Sequence, residues 1–235
     1  MFKIALTAGH YKYTAGKRCL KALDKNETAE WVLNDRIADK TEKLLSLYEG
    51  YELVRTDDTK GEKRISVEER AAMANKFKAD IYISVHHNAG INGGSGGGIT
   101  AYVYKNAGDE AKAWQKDLYD SLIKSTGLKG NRAEPLARAD LAECRLTAMP
   151  AVLLELGFMD SKTDVPIILS EDYANKCAQA ITEVIVRRGG LKLKKVAIGE
   201  DGKLYRVQVG AFSKRKNAEN LANELKGKGY YAFIV

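Results

Sequence analysis

The chain has few cysteines and no long apolar runs, and each shortage excludes a class of protein. Its 235 residues include three cysteines, Cys19, Cys144 and Cys177, which are far apart and odd in number. This pattern argues against a disulfide framework and predicts free thiols in a chain made in a reducing compartment. No window approaches the roughly 18 apolar residues that a membrane-spanning helix needs, so no membrane span is expected.

The N-terminus also lacks the apolar core of a signal peptide. Residues 1–6 pass directly into a candidate strand. The sequence therefore predicts a chain made in the cytoplasm without a signal peptide. Apolar residues make up 45% of the chain and charged residues 29%, which is ordinary for a globular protein and excludes collagen and wholesale disorder.

Positive charge is concentrated at the C-terminal end. The chain has 38 basic and 31 acidic residues, and residues 188–235 alone contain 11 basic and 4 acidic ones. The net charge of +7 therefore comes entirely from residues 188–235, and residues 1–187 have no net charge. Such a tail predicts an anionic partner, for which nucleic acid, a membrane and the bacterial cell wall are candidates, or a solvated surface without a partner.

Apolar segments with the period of strands alternate with segments that have the period of helices. This order predicts an α/β fold with a largely parallel twisted sheet flanked by helices, plus a small C-terminal strand-helix-strand module. The predicted strands are 3–7, 51–55, 81–85, 99–104, 151–156, 204–209 and 230–235, and the predicted helices are 27–48, 66–78, 111–125, 173–186 and 217–225. We divide the chain into a domain over 1–187, a linker over 188–203 and the module over 204–235.

The chemistry-bearing residues follow or interrupt the predicted strands. The three histidines, His10, His86 and His87, stand where strands end, and Glu155 interrupts an apolar strand. The carboxyl ends of strands form the ligand crevice of open α/β sheets. Two imidazoles and a carboxylate are a common zinc set that leaves a position for water. The glycine-rich segment 90–98 lacks a phosphate-loop pattern and is expected to be a mobile loop beside this site.

Several segments together resemble the zinc-dependent N-acetylmuramoyl-L-alanine amidases, the cell-wall amidase family of the autolysin and endolysin type. They occur in the family's order and span most of residues 1–187. The matching segments are 7–10 (TAGH), 30–34 (EWVLN), 69–75 (ERAAMAN), 79–89 (ADIYISVHHNA) and 149–158 (MPAVLLELGF).

The resemblance implies a role for four of these residues. His10, Glu30 and His86 match the zinc ligands, so one Zn²⁺ per chain is expected, and Glu155 matches the catalytic glutamate. The implied reaction is hydrolysis of the amide between N-acetylmuramic acid and L-alanine in bacterial peptidoglycan. Residues that bind the substrate are not implied. A zinc peptidase cutting within the stem peptide and a non-catalytic wall-binding protein are the alternatives.

The sequence departs from the family pattern at two positions. Tyr11 stands where the family often has glycine, and His87 stands where a small residue is usual. Strand alternation predicts that His87 is turned away from the site, although a second metal-binding histidine is an alternative. Glu27 is a rival to Glu30 as ligand, but Asn34 shares a helix face with Glu30 and favours it. Arg55 and Arg70 are candidates for structural pairs near the site.

The C-terminal module resembles one repeat of the SPOR type, a glycan-binding module of cell walls. The likeness rests on residues 205–212 (YRVQVGAF) and 217–219 (NAE). The family usually has two such repeats, so exposed strand edges predict a homodimer formed through this module. Peptidoglycan is then the expected partner and nucleic acid is not, although the tail's aromatic residues leave base stacking as an alternative. The enzyme is expected to act on the wall after release, as a phage endolysin or a sporulation autolysin.

Overall fold

The computed structural model describes residues 1–194 and 207–227 and the single residues 230, 232 and 234. A six-stranded sheet with the order β3-β1-β4-β7-β5-β6 forms its centre, and helices cover both faces. The strands are β1 (Phe2–Ala8), β2 (Tyr48–Glu49), β3 (Tyr51–Arg55), β4 (Ile81–Asn88), β5 (Ile99–Tyr104), β6 (Leu136–Ala139), β7 (Ala151–Phe158) and β8 (Lys192–Leu193). The helices are α1 (Glu30–Leu45), α2 (Val67–Phe77), α3 (Asp109–Thr126), α4 (Ala142–Arg145), α5 (Val165–Ile168), α6 (Glu171–Gly189) and α7 (Arg215–Gly227).

The sheet is largely parallel, as the alternation of strands and helices predicted. β3, β1, β4 and β7 run parallel to one another, and β5 pairs with β6 in parallel. Only the pairing of β5 with β7 is antiparallel among the six strands. The carboxyl ends of the adjacent strands β1, β4 and β7 therefore lie side by side at the same end of the sheet.

Side-chain alternation along β4 assigns its residues to two different cores. Ile81, Ile83 and Val85 belong to the larger core, which β4 shares with α1, α3 and α6. Tyr82 belongs to the smaller core, which includes residues of α2 and α4. Ser84 and His86 follow Tyr82 at alternate positions, so they share the face covered by α2 and α4.

The first helix is shorter than predicted. It begins at Glu30 rather than residue 27, because Ala29 is extended and forms an isolated bridge with Arg18. It ends at Leu45 rather than residue 48, because Tyr48–Glu49 form β2 and pair with β8. The second helix begins with a capping box, in which the side chains of Ser66 and Glu69 each accept a hydrogen bond from the other's backbone N–H.

The start of the predicted linker, 188–203, is partly structured. Helix α6 continues to Gly189, and β8 pairs with β2, so the chain packs against the main body as far as Leu193. Five short elements of the described residues were not predicted: β2, β6, β8, α4 and α5. None of them is long enough to show a helical or strand period in the sequence.

The predicted helix of the C-terminal module forms as α7 and contacts the main body. The Gln179 side chain on α6 donates a 2.6 Å hydrogen bond to the Asn223 carbonyl. The described positions of the two predicted strands, 207–209, 230, 232 and 234, form no strand, since a ladder needs a hydrogen-bonded partner. The other positions of these strands lie outside the described residues, as does linker segment 195–203. Within the described part of the chain, no helix is long and apolar enough to cross a membrane.

Candidate metal centre

His10 stands just beyond β1 in a backbone conformation that is uncommon for a residue with a side chain. Its φ is 68°, in the left-handed region. The Arg70 guanidinium on α2 holds it there by donating a 2.6 Å hydrogen bond to the His10 carbonyl. Arg70 also donates to the Ala8 carbonyl at 2.7 Å and to the Thr7 hydroxyl at 3.0 Å. Arg70 therefore fixes the turn that carries His10.

Gly9 gives the ring of His86 the space to approach this turn. A Cβ atom at position 9 would lie 2.1 Å from Cε1 of His86 and 2.4 Å from both ring nitrogens. No side chain fits there, so the absence of a Cβ atom brings the two histidines together. The rings of His10 and His86 meet edge to face with centroids 5.1 Å apart.

Glu30, the first residue of α1, bridges the two histidines from a fully buried position. Its Oε2 atom lies 3.2 Å from Nε2 of His10, and its Oε1 atom lies 3.1 Å from Nδ1 of His86. Oε1 also accepts a hydrogen bond from the backbone N–H of His87. The Asn34 side chain, one turn along α1, donates to the same oxygen at 3.4 Å and to the Gly9 carbonyl at 3.1 Å.

The contacts with the histidines set the charge of Glu30. Burial opposes ionisation, but the hydrogen bonds from His10 and His86 outweigh it and hold the pKa of Glu30 well below its usual value. Burial also lowers the pKa of His86, yet the carboxylates of Glu143 and Glu30 raise it to about 10. The centre therefore couples a carboxylate to a strongly basic imidazole.

The donor atoms of His10, Glu30 and His86 fit a metal ion. All three lie within 4.8 Å of one another. Oε2 of Glu30 is buried and faces two nitrogen atoms, Nε2 of His10 at 3.2 Å and Nζ of Lys17 at 3.7 Å. Two imidazoles and a carboxylate in such an arrangement suit zinc and leave a fourth position open. The structure thus brings together the three residues that the resemblance implied as ligands.

Glu155 shares the face of the sheet on which His86 lies. The two residues are register partners on the parallel strands β7 and β4. The Oε2 atom of Glu155 is buried and has no hydrogen-bond partner in the described part of the chain. Burial raises the pKa of Glu155 to about 7, with His86 and Lys17 opposing the shift and Glu30 adding to it. Its carboxyl group can thus gain and lose a proton near neutral pH.

The structure places three other residues named in the sequence analysis, His87, Glu27 and Tyr11, outside the cluster of His10, Glu30 and His86. His87 faces α1, where its Nδ1 atom is 2.8 Å from Oδ1 of Asn34, and burial lowers its pKa to about 3. Glu27 is paired with Lys21 at 3.3 Å instead of joining the cluster. The ring of Tyr11 packs edge to face on Tyr13.

Arg55 forms the structural pairs that the sequence suggested. Its guanidinium lies 2.7 Å from Asp35, 2.6 Å from Asp39 and 2.7 Å from Asp57. These contacts tie β3 to α1. Arg70, the other candidate, bonds backbone carbonyls and a hydroxyl rather than a carboxylate.

The glycine-rich segment 90–98 is a loop, as predicted, and hydrogen bonds to two aspartate side chains hold its backbone. The Asp160 side chain accepts hydrogen bonds of 2.7–2.8 Å from three successive backbone N–H groups, those of residues 90–92. The Asp164 side chain accepts from the N–H of Gly98 at 2.7 Å. Both aspartates lie between the end of β7 and the start of α5, so the connection that follows the Glu155 strand also positions this segment.

Sequence reasoning did not single out Glu143, which the structure buries beside His86. It lies on α4 with Oε1 3.5 Å from Nε2 of His86. Burial opposes ionisation of Glu143, but His86 outweighs it and lowers the pKa to about 2. No pattern in residues 142–145 marks this glutamate, because a single helical turn shows no period.

Fold and site together define an α/β protein with a His-Glu-His cluster of metal-ligand type at the carboxyl edge of its sheet. Residues 4–187 match the family described as N-acetylmuramoyl-L-alanine amidase, and residues 201–235 match the SPOR domain. The chain belongs to the N-acetylmuramoyl-L-alanine amidase family. This confirms the resemblance, the fold class and the class of enzyme predicted from the sequence.

Individual relatives agree with this assignment. The chain is 28% identical to the sporulation-specific N-acetylmuramoyl-L-alanine amidase of Bacillus subtilis, over all of this chain and 85% of that protein. It is 36% identical to an endolysin of Bacillus phage SPP1, over 54% of this chain and 46% of that protein. The crystal structure of an N-acetylmuramoyl-L-alanine amidase from Clostridium difficile 630 has the same fold, with a TM-score of 0.71 and 24% identity over 79% of this chain and 95% of that one.

Proposed function

We propose that this enzyme uses one zinc ion to hydrolyse the amide bond between N-acetylmuramic acid and L-alanine in bacterial peptidoglycan. His10, Glu30 and His86 would hold the ion. The observation that carries this proposal is their convergence within 4.8 Å beside Glu155, in a chain of this family. The Oε2 atom of Glu30 is buried 3.2 Å from Nε2 of His10, so that one cation would contact both atoms.

The bound ion would supply Lewis-acid chemistry, polarising the scissile carbonyl and lowering the pKa of a water molecule. The protein's own groups prepare the position. Glu30 is held by Asn34 and by the N–H of His87, and His10 is held through its carbonyl by Arg70. These contacts fix the donor atoms before the substrate arrives, so little reorganisation is needed during the reaction.

Glu155 is the proton carrier of the proposed reaction. Its carboxylate accepts a proton from the attacking water as the water oxygen bonds to the carbonyl carbon. The same proton then passes to the nitrogen of the leaving L-alanine as the C–N bond breaks. Burial raises the pKa of Glu155 above its usual value, which makes its carboxylate a stronger base towards the water.

The C-terminal module is proposed to hold the enzyme on its substrate. Residues 201–235 match the SPOR domain, and residues 188–235 contain the chain's excess of basic residues. Contacts with glycan strands and attraction to anionic wall polymers would both keep the catalytic domain on the wall. The attraction to anionic polymers weakens as the salt concentration rises, whereas the contacts with glycan strands depend less on salt.

Product analysis on purified cell walls tests the proposal. The protein is incubated with walls as prepared, after chelation, and after chelation followed by zinc. We expect new amino groups of L-alanine without new reducing sugar ends, their loss with the chelator and their return with zinc. New amino groups on another stem-peptide residue would make the enzyme a peptidase. If the protein sediments with the walls but releases no product, the catalytic proposal is overturned.

A further inference from the structure

Helix α4 brings a buried carboxylate against the second nitrogen of a proposed zinc ligand. Tyr82 and His86 share one face of β4, and α4 covers that face. Glu143 of α4 is 6% exposed, and its Oε1 atom lies 3.5 Å from Nε2 of His86. Its Oε2 atom accepts a 3.1 Å hydrogen bond from the Tyr82 hydroxyl. The carboxylate is thus held between a ligand and a tyrosine.

The two nitrogens of His86 face different carboxylates. Nδ1 lies 3.1 Å from Oε1 of Glu30, which is another proposed zinc ligand, whereas Nε2 lies 3.5 Å from Oε1 of Glu143. Apart from this ion-pair contact, Nε2 is buried without a hydrogen-bond partner among the described residues. Glu143 is not part of the cluster whose donor atoms lie within 4.8 Å. The geometry therefore places Glu143 behind a ligand rather than on the metal.

A metal-bound imidazole usually donates its other N–H to an acceptor, which fixes the tautomer and the orientation of the ring. For His86 to present the lone pair of Nδ1 to a cation, its proton must be on Nε2. That proton needs an acceptor, because this end of the ring is buried. Oε1 of Glu143 is the acceptor that the fold supplies.

We propose that Glu143 is a positioning residue of the zinc centre, which accepts the Nε2–H of His86 and thereby presents Nδ1 to the metal. This inference rests on the proposed function. Tyr82 contributes by occupying the second oxygen of Glu143, so that the carboxylate is held against the ring. The pair Tyr82–Glu143 connects the centre of β4 to the metal site through one side chain.

Zinc affinity of the full-length protein tests the proposal. The dissociation constant is measured by competition with a chromophoric chelator. Replacing the acceptor, as in Glu143→Leu, is expected to weaken zinc binding about 10- to 100-fold. Glu143→Gln keeps an acceptor oxygen and is expected to recover part of this loss. Glu68→Gln, on the exposed face of α2, is the matched control and should bind zinc as the unchanged protein does.

A spectroscopic measurement keeps the test independent of how well the variants fold. In zinc-loaded protein labelled with ¹⁵N-histidine, we expect His86 to have metal on Nδ1 and a slowly exchanging proton on Nε2. Metal on Nε2, or zinc affinity that Glu143→Leu leaves unchanged, would overturn the inference alone. If the unchanged protein binds no zinc, the proposed function itself fails.

Discussion

Arg70 uses its guanidinium to hold backbone rather than to neutralise an acid. Its hydrogen bonds go to the carbonyls of Ile65, Ala8 and His10 and to the Thr7 hydroxyl, and its side chain is 3% exposed. Since His10 has a φ of 68°, the backbone at this ligand depends on an external support. The strain at His10 is therefore offset by a residue of a different element.

We expect Arg70→Met to lower both stability and zinc affinity. Met fills much of the space but leaves the carbonyls of Ala8 and His10 unpaired, which costs about 2–4 kcal/mol of the free energy of unfolding. Urea denaturation measures this loss, and chelator competition measures the zinc affinity. Arg64→Met on the surface is the control. Full stability in Arg70→Met would show that the hydrogen bonds to the turn carry little free energy.

Replacement of Glu155 should separate catalysis from metal binding. Glu155→Gln keeps the size of the side chain but removes its proton-accepting charge. We expect wall hydrolysis to fall by roughly 10²- to 10⁴-fold, while zinc content and the unfolding transition stay unchanged. Activity is measured as L-alanine amino groups released, and zinc by metal analysis. Loss of zinc from a folded Glu155→Gln protein would contradict the proton-carrier assignment.

Among the elements, the glycine-rich segment depends on a close approach between two backbones. Gly98 has a φ of +87°, and a Cβ there would lie 2.5 Å from Cα of Gly130 and from the Lys129 carbonyl. The contact joins the segment before β5 to the loop after α3. Because both surfaces are main chain, no side-chain rotation can relieve a clash.

We therefore expect Gly98→Ala to be much more costly than alanine at an open glycine. The substitution should lower the free energy of unfolding by about 3 kcal/mol or more, from backbone strain together with overpacking. Gly16→Ala is the matched control, since Gly16 has a φ of +72° with nothing within 4 Å and should cost about 1 kcal/mol. Urea denaturation compares them. Equal losses would mean that the loop after α3 moves aside freely.

In the main body, the sequence predicted the longer helices and strands well and the elements of two to four residues not at all. Bounds of β3 and β5 match the expected ranges, because each is a compact β-rich run between turn residues. The antiparallel direction of β5 could not be predicted, since an apolar strand has the same pattern in both directions. The three-dimensional path of 127–150 decides where α4 lies, so the contact between Glu143 and His86 has no local signal in the sequence. The resemblance to the amidase family, in contrast, was enough to name His10, Glu30 and His86 together, and the structure brings their donor atoms within 4.8 Å of one another.

For the molecule as a whole, attachment to the wall is expected to depend partly on charge. We expect retention of the Glu155→Gln protein on purified walls to fall as NaCl rises from about 0.05 M to about 0.5 M, because salt screens exposed charges. Sedimentation with walls measures retention. The double variant Lys214→Glu/Lys216→Glu on the C-terminal module should reduce it at low salt more than Lys25→Glu/Lys63→Glu on the main body. Equal effects would argue against a module-specific interaction.

The intact protein is also expected to self-associate through residues 204–235. The two strands predicted for a single SPOR-like repeat would present edges that a second copy can pair. Sedimentation velocity over a range of protein concentrations should show a dimer whose population rises with concentration. A strict monomer well above the concentrations used for activity would contradict this expectation.

The register between β4 and β7 determines the stage of folding at which the enzyme can first hydrolyse a cell wall. His86 and Glu155 are almost seventy positions apart along the chain, and they become neighbours only when the two strands pair. A one-residue slip would send Glu155 to the opposite face of the sheet. A chain still emerging from the ribosome, or one whose sheet has opened, therefore holds its reactive groups apart. The enzyme therefore becomes active only when β4 and β7 have paired and its folding is complete.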